Sequence, residues 1–122
     1  MRELDTATTV IADIQLNGQP ATAYTAHGSL SSTGRFVAFV STSRKLVLGD
    51  TNGAMDVFVR DLVLGRTVRV SVSSTGQQGN QDSSSIDIPA ISFSGRAVAF
   101  YSSATNLVSD DTNGVDDAFA RR

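Results

Sequence analysis

Apolar and polar residues alternate most cleanly in RTVRVSVSS (66–74). Val68, Val70 and Val72 fall on one side there, and Arg69, Ser71 and Ser73 on the other. A period of two is the mark of a strand with one buried face. MDVFVRDL (55–62) sets Val57 and Val59 against Phe58 and Arg60 in the same way. RFVAFVS (35–41) and RAVAFYS (96–102) are apolar, β-branched and aromatic runs, each preceded by a serine- and glycine-containing turn. DIPAISF (87–93) is short and carries its proline near the start, where a strand tolerates it. No stretch keeps a 3.6-residue apolar period, so the chain is predicted to be all-β with minimal helix.

These strands recur. Laid over residues 92–121, residues 31–60 match at 16 of 30 positions without a gap, Ser31 falling on Ser92. The shared skeleton is S··GR·VAF·S····LV··DTNG··D·F·R. Residues 60–77 (RDLVLGRTVRVSVSSTGQ) align with residues 2–19 (RELDTATTVIADIQLNGQ), Arg60 falling on Arg2. The two offsets differ by three residues, so the first copy lacks three somewhere between Gln19 and Gly28. Internal similarity at this period indicates a repeat architecture.

Four strands per repeat is the make-up of a β-propeller blade. The combination of the serine–glycine–arginine turn, VAF, DTNG··D·F and RVSV resembles the TolB-like, WD-type propeller repeat over nearly the whole chain. One departure is that the acid of the family's first turn is Thr33 in one copy and Ser94 in the other. The resemblance implies two blades of four antiparallel strands, the first over residues 20–75 and the second over 76–122. The N-terminal segment 1–19, of the same or a neighbouring chain, would supply the second blade's outermost strand, read at Thr9–Leu16. Two blades cannot surround an axis, since propellers use about 4–8. Left alone they would also expose apolar faces and strand edges. Self-association is therefore expected, with a six-bladed homotrimer the geometry that the resemblance favours. The alternative is a piece of a larger exported TolB-like protein or propeller enzyme whose active residues lie elsewhere.

The DTNG··D loops offer Asp50, Asn52 and Asp56 in one copy and Asp111, Asn113 and Asp117 in the other. Alternating oxygen ligands around a glycine turn are what calcium loops use. The loops are shorter than an EF-hand, lack a distal glutamate and offer two carboxylates per copy, and an Asx-type turn repeated for structural reasons explains them equally. Calcium is the one cofactor the sequence raises. Arg35 and Arg96 follow the turn glycine in both copies, and Arg60 and Arg121 recur at the end of the third strand. Ion pairs that anchor turns are the expected role, with ligand recognition by Arg35 and Arg96 as the alternative. His27, the single histidine, lies near Tyr24 in the segment carrying the deletion, and is expected in a solvent-facing loop. These two residues complete the candidate ligand-binding set. Phe39, Phe58, Phe100 and Phe119 occupy matched positions and are expected to be core. Segment 74–87 (STGQQGNQDSSSID) is long and polar, the kind of loop that carries binding.

Composition narrows the classes. With Lys+Arg 10 against Asp+Glu 12, no basic footprint for nucleic acid exists. No apolar run is long enough to span a bilayer, so membrane insertion is not expected. Cysteine is absent, which removes disulfides and thiolate metal sites. The start carries acids where a secretory leader has its apolar core, although the resemblance leans towards a periplasmic or extracellular setting. No nucleophile elbow of the G-x-S-x-G type occurs. The expectation is a non-enzymatic binding or scaffold module that recognises a protein or small molecule through loops at the ring faces.

Overall fold

The computed structural model describes residues 2–3, 8–84, 88–108 and 117–122; of residues 2, 3 and 8 it describes the backbone alone. All regular structure within them is strand. β1 (Arg2–Glu3) pairs with β2 (Thr8–Thr9). β3 (Thr25–Leu30), β4 (Phe36–Ser41), β5 (Asp56–Asp61) and β6 (Arg66–Arg69) form a four-stranded antiparallel meander. β7 (Ala90–Ile91), β8 (Val98–Ser102) and β9 (Asp117–Arg121) form a three-stranded one.

The sequence repeat returns as a repeat of backbone pairing. Phe39 opposes Phe58 in the first sheet and Phe100 opposes Phe119 in the second. Their ring centroids lie 5.8 Å apart in both pairs. Arg60 pairs with Thr67 and Asp61 with Arg66, just as Arg2 pairs with Thr9 and Glu3 with Thr8. Isolated bridges Val72–Gln78 and Ile14–Pro20 hold the same relation. Each encloses a turn with a glycine in the left-handed region, Gly76 at φ 88° and Gly18 at φ 84°. Segments that diverge in sequence thus keep one backbone course.

The three-residue difference falls within the strands. In β3, Ala26 pairs with Val40 and Ser29 with Ala38, and the register shifts between them across His27 and Gly28. In the second copy Ser84 donates to the Tyr101 carbonyl (2.7 Å), and pairing resumes at Ala90–Ala99. Five residues separate Ser84 from Ala90 along the chain, three more than separate Ala26 from Ser29. His27 therefore sits in a bulge, at φ 57° and half-buried, and not in a solvent-facing loop. The shorter copy spans the interruption with two residues, His27 taking the left-handed region, and in the longer copy Ser84 does the same at φ 48°.

Packing is face to face. Ala38, Val40, Val57 and Val59 from the first sheet, joined by Val70, meet Val98, Phe100, Ala104 and Leu107 from the second in one cluster. The other face of the first sheet buries Phe39 and Phe58 with Leu46, against Ala21 and Val47. β5 is consequently covered on both sides, where its alternation predicts one buried face. β8 does alternate: Val98, Phe100 and Ser102 are buried, Ala99 and Tyr101 exposed.

β6 departs from the pattern read for 66–74. The ladder ends at Arg69, Val68 is exposed, and Val70 and Ser71 are both buried. Ser71 turns inward because its hydroxyl donates to the Asp56 carboxylate (2.8 Å) and accepts the Val57 N–H (3.1 Å). Burying that carboxylate without such partners would cost more than the lost alternation. In the N-terminal segment, strand pairing covers Thr8–Thr9 where Thr9–Leu16 is expected, and Leu16 N–H instead donates to the Lys45 carbonyl (2.8 Å).

Candidate functional site

The DTNG turn of the first copy leads into β5 and lies at the seam between the two sheets. Asn52 folds back on the backbone, its side-chain oxygen accepting the Ala54 N–H at 3.0 Å. Its amide nitrogen donates to Asp56 Oδ1 (3.1 Å) and to the Gly79 carbonyl (2.8 Å), tying the turn to the lead-in of the second sheet. Gly53, at φ 66°, makes the left-handed corner that an Asx turn before a strand requires. Asp50 is buried, with its Oδ1 3.5 Å from Arg69 Nη1. The same Arg69 nitrogen donates to Gln78 Oε1 at 3.1 Å.

Asp56 is wholly inaccessible to solvent. Ser71 and Asn52 both serve its Oδ1, while Oδ2 has no hydrogen-bond partner. Burial pushes its pKa up to about 6 against the two hydrogen bonds, and the nearby Asp50 carboxylate adds to the rise. Asp50 is also raised, by burial first, with Arg69 and Arg44 pulling the other way.

Beside this seam runs an open groove of about 750 Å³, lined by Asn52, Arg69, Gln78, Asn80 and Asn106 among others. Its amides are engaged with neighbours. Gln78 donates to Thr51 (2.6 Å), Asn80 to Thr105 (2.8 Å) and Asn106 to the Gln78 carbonyl (2.9 Å). The polar segment 74–87 thus enters the seam by side-chain hydrogen bonds at Gln78, Asn80 and Asp82, the last accepting the Met55 N–H at 2.7 Å. In chemical terms the seam is a hydrogen-bonded clasp around one buried carboxylate whose pKa is raised to about 6.

The sequence-derived candidates are dispersed. Asp50, Asn52 and Asp56 are brought together as described, whereas Asp111 and Asn113 lie outside the described residues. Asp117 opens β9, opposite Ser102. Among the described residues no group of three or more His, Cys, Asp or Glu side chains is placed to hold a metal ion. Arg35 makes a two-point contact with Asp61 (3.0 and 2.7 Å) and lies over the Phe36 ring at 4.9 Å. Arg96 is exposed and has no ion pair among the described residues. Tyr24 is exposed, and His27 lines a separate groove of about 290 Å³ with Asp13 and Phe39. Arg69, Ser71, Gln78 and Asp82 belong to the clasp without having been singled out by sequence. Their partners lie 9 to 27 residues away, so no local spacing announces them. For Arg69 and Ser71 the hint is a serine and an arginine in an otherwise valine-rich run, and Gln78 and Asp82 lie in the long polar segment 74–87.

No family model matches the chain, and neither a curated protein nor a solved structure matches it.

Proposed function

We propose that the two sheets are propeller blades and that the chain is a self-assembling, non-enzymatic binding or scaffold module. Copies join head to tail into a closed ring, a homotrimer of six blades, and present their loops and inter-sheet grooves to a protein or small-molecule ligand.

One observation carries this reading. Ala38, Val40, Val57 and Val59 are buried on the first sheet against the second. Their repeat equivalents on the second sheet, Ala99, Tyr101, Ala118 and Ala120, are all exposed, as the side chains of a face awaiting its next sheet would be. The opposite faces of both sheets repeat the stacked phenylalanine pair. A surface that fits the face of its own repeat neighbour generates a head-to-tail contact, and such contacts produce a ring when the rotation closes.

The test is the mass in solution by light scattering over a dilution series. A single species of three times the 12.8 kDa chain is expected. A monodisperse monomer would overturn the reading. A polydisperse or aggregating sample would favour a two-blade piece of a longer propeller, whose following blade covers the same face.

A further inference from the structure

The groove at the seam between the sheets carries side chains that the repeat does not need. Arg69, Gln78, Asn80 and Asn106 line it. Their counterparts in the other copy are Ile11, Pro20, Thr22 and Lys45. The backbone course there is the same all the same. Ile14 bridges Pro20 as Val72 bridges Gln78, and the Ala21 N–H reaches the Asp13 carbonyl as the Gly79 N–H reaches that of Ser71. One guanidinium and three amides are thus surplus to the fold.

Their hydrogen bonds are lopsided. Gln78 Oε1 accepts both the Thr51 N–H (3.0 Å) and Arg69 Nη1–H (3.1 Å). Asn80 Oδ1 accepts the Thr105 N–H, and Asn106 Oδ1 accepts the Asn80 N–H. Each amide nitrogen donates once, to Thr51, Thr105 and the Gln78 carbonyl respectively. Its second hydrogen is left without a partner among the described residues. The Arg69 side chain is only 10% exposed, its Nε has no partner, and the Asp50 oxygen it faces is 3.5 Å from Nη1. That separation is too long for a good hydrogen bond. No acidic side chain is among the described residues that line the groove. A groove with spare donors and few spare acceptors suits an acceptor-rich anion.

We propose that this groove binds a carboxylate, held by the Arg69 guanidinium and by amide N–H groups of Gln78, Asn80 and Asn106. The site deepens the binding part of the function proposed above, and it lies within one chain, so it does not depend on ring closure. Asp50 already takes up part of the Arg69 charge, so a singly charged, planar carboxylate fits better than a doubly charged phosphate. A free small acid and a peptide C-terminus share this chemistry.

The test titrates nitrogen-labelled protein at neutral pH and follows the side-chain amide and Arg69 Nε–H signals by NMR. The probes are acetate, the dipeptide N-acetyl-alanyl-alanine, its C-terminal amide and inorganic phosphate, all at constant ionic strength. Saturable shifts at Gln78, Asn80 and Asn106 are expected with both carboxylates and not with the peptide amide. Tighter binding of the dipeptide than of acetate points to a peptide terminus, and equal binding to a small acid. Shifts as large with the amide, stronger binding of phosphate, or no saturation up to about 50 mM acetate or dipeptide overturns the proposal. Arg69→Ile, which installs the other copy's residue, should weaken binding about ten-fold or more. Asn80 is exposed, so Asn80→Thr tests the site even if the Arg69 variant fails to fold, and should weaken binding about three-fold. Unchanged affinity in either folded variant refutes the site. A monomer that binds carboxylates keeps the site and loses the ring, whereas a ring that ignores them does the reverse.

Discussion

Arg35 and Asp61 are joined by two parallel hydrogen bonds, of 3.0 and 2.7 Å, and the same carboxylate also accepts the N–H groups of Val63 and Leu64. One acid therefore ties the turn before β4 to the turn after β5. The Arg35 guanidinium, aided by the two backbone donors, holds the Asp61 carboxyl well below the usual carboxylate range. A depressed carboxylate contributes stability that is present at neutral pH and is lost as the pH falls through the folded value. Asp61→Asn should lower the melting temperature by a few degrees at pH 7. The difference should shrink as both proteins are taken well below about pH 4, where the unfolded acid protonates. Thermal melts across that range check it, and a difference independent of pH would contradict it.

Asp56 works in the opposite sense. Its pKa is raised to about 6, chiefly by burial, so the folded state holds the proton more tightly than the unfolded chain does. Its contribution to stability is greatest below about pH 4 and falls as the pH climbs to 6 and above. Asp56→Asn keeps an acceptor for Ser71 and Asn52 but removes the charge. The variant should gain on wild type by about 3 kcal/mol between pH 4 and pH 8, the equivalent of a two-unit shift. Urea titrations at the two pH values measure the gain, and parallel curves would refute it.

Gly95 marks the contact between the sheets. It lies at φ 76°, and a Cβ there would run into the Phe36 ring of the neighbouring sheet. Gly76 has a similar φ of 88° but open space around it. Gly76→Ala should cost about 1–2 kcal/mol, from backbone strain alone. Gly95→Ala should cost about 2–4 kcal/mol, since crowding adds to strain. Chemical denaturation of both variants separates the two effects, and equal losses would mean that Phe36 swings aside freely.

Calcium is expected to leave the protein unchanged. Asn52 has committed its oxygen to Ala54 N–H and its nitrogen to Asp56 and Gly79, so the turn is already closed by internal hydrogen bonds. Adding calcium to chelator-treated protein should not move the melting temperature. A dose-dependent rise would place an ion in one of the two DTNG loops.

Much of the architecture is legible in the chain because it is periodic. Val98, Phe100 and Ser102 are buried and Ala99 and Tyr101 exposed, as an alternating strand requires. The matched phenylalanines find each other because a meander brings equivalent positions into register. The candidate site was only half legible. DTNG announces a turn, and Asn52 builds one. Nothing local announces that Asp56 will be sealed from water, and Ser71, whose hydroxyl reaches its carboxylate, lies 15 residues away.

The sequence by itself determined the all-β class, the two copies and the matched phenylalanine positions, because these follow from side-chain alternation and from similarity along one chain. Tertiary structure decided which faces are covered, where the three-residue difference is absorbed, and in which direction each carboxylate's pKa moves. It closes the gap at His27 with a bulge, turns Ser71 inward against the valine alternation, and gives Asp61 an arginine while leaving Asp56 with an unpartnered oxygen. Those outcomes depend on groups distant in sequence, whose desolvation and hydrogen bonding exist only once the sheets have stacked.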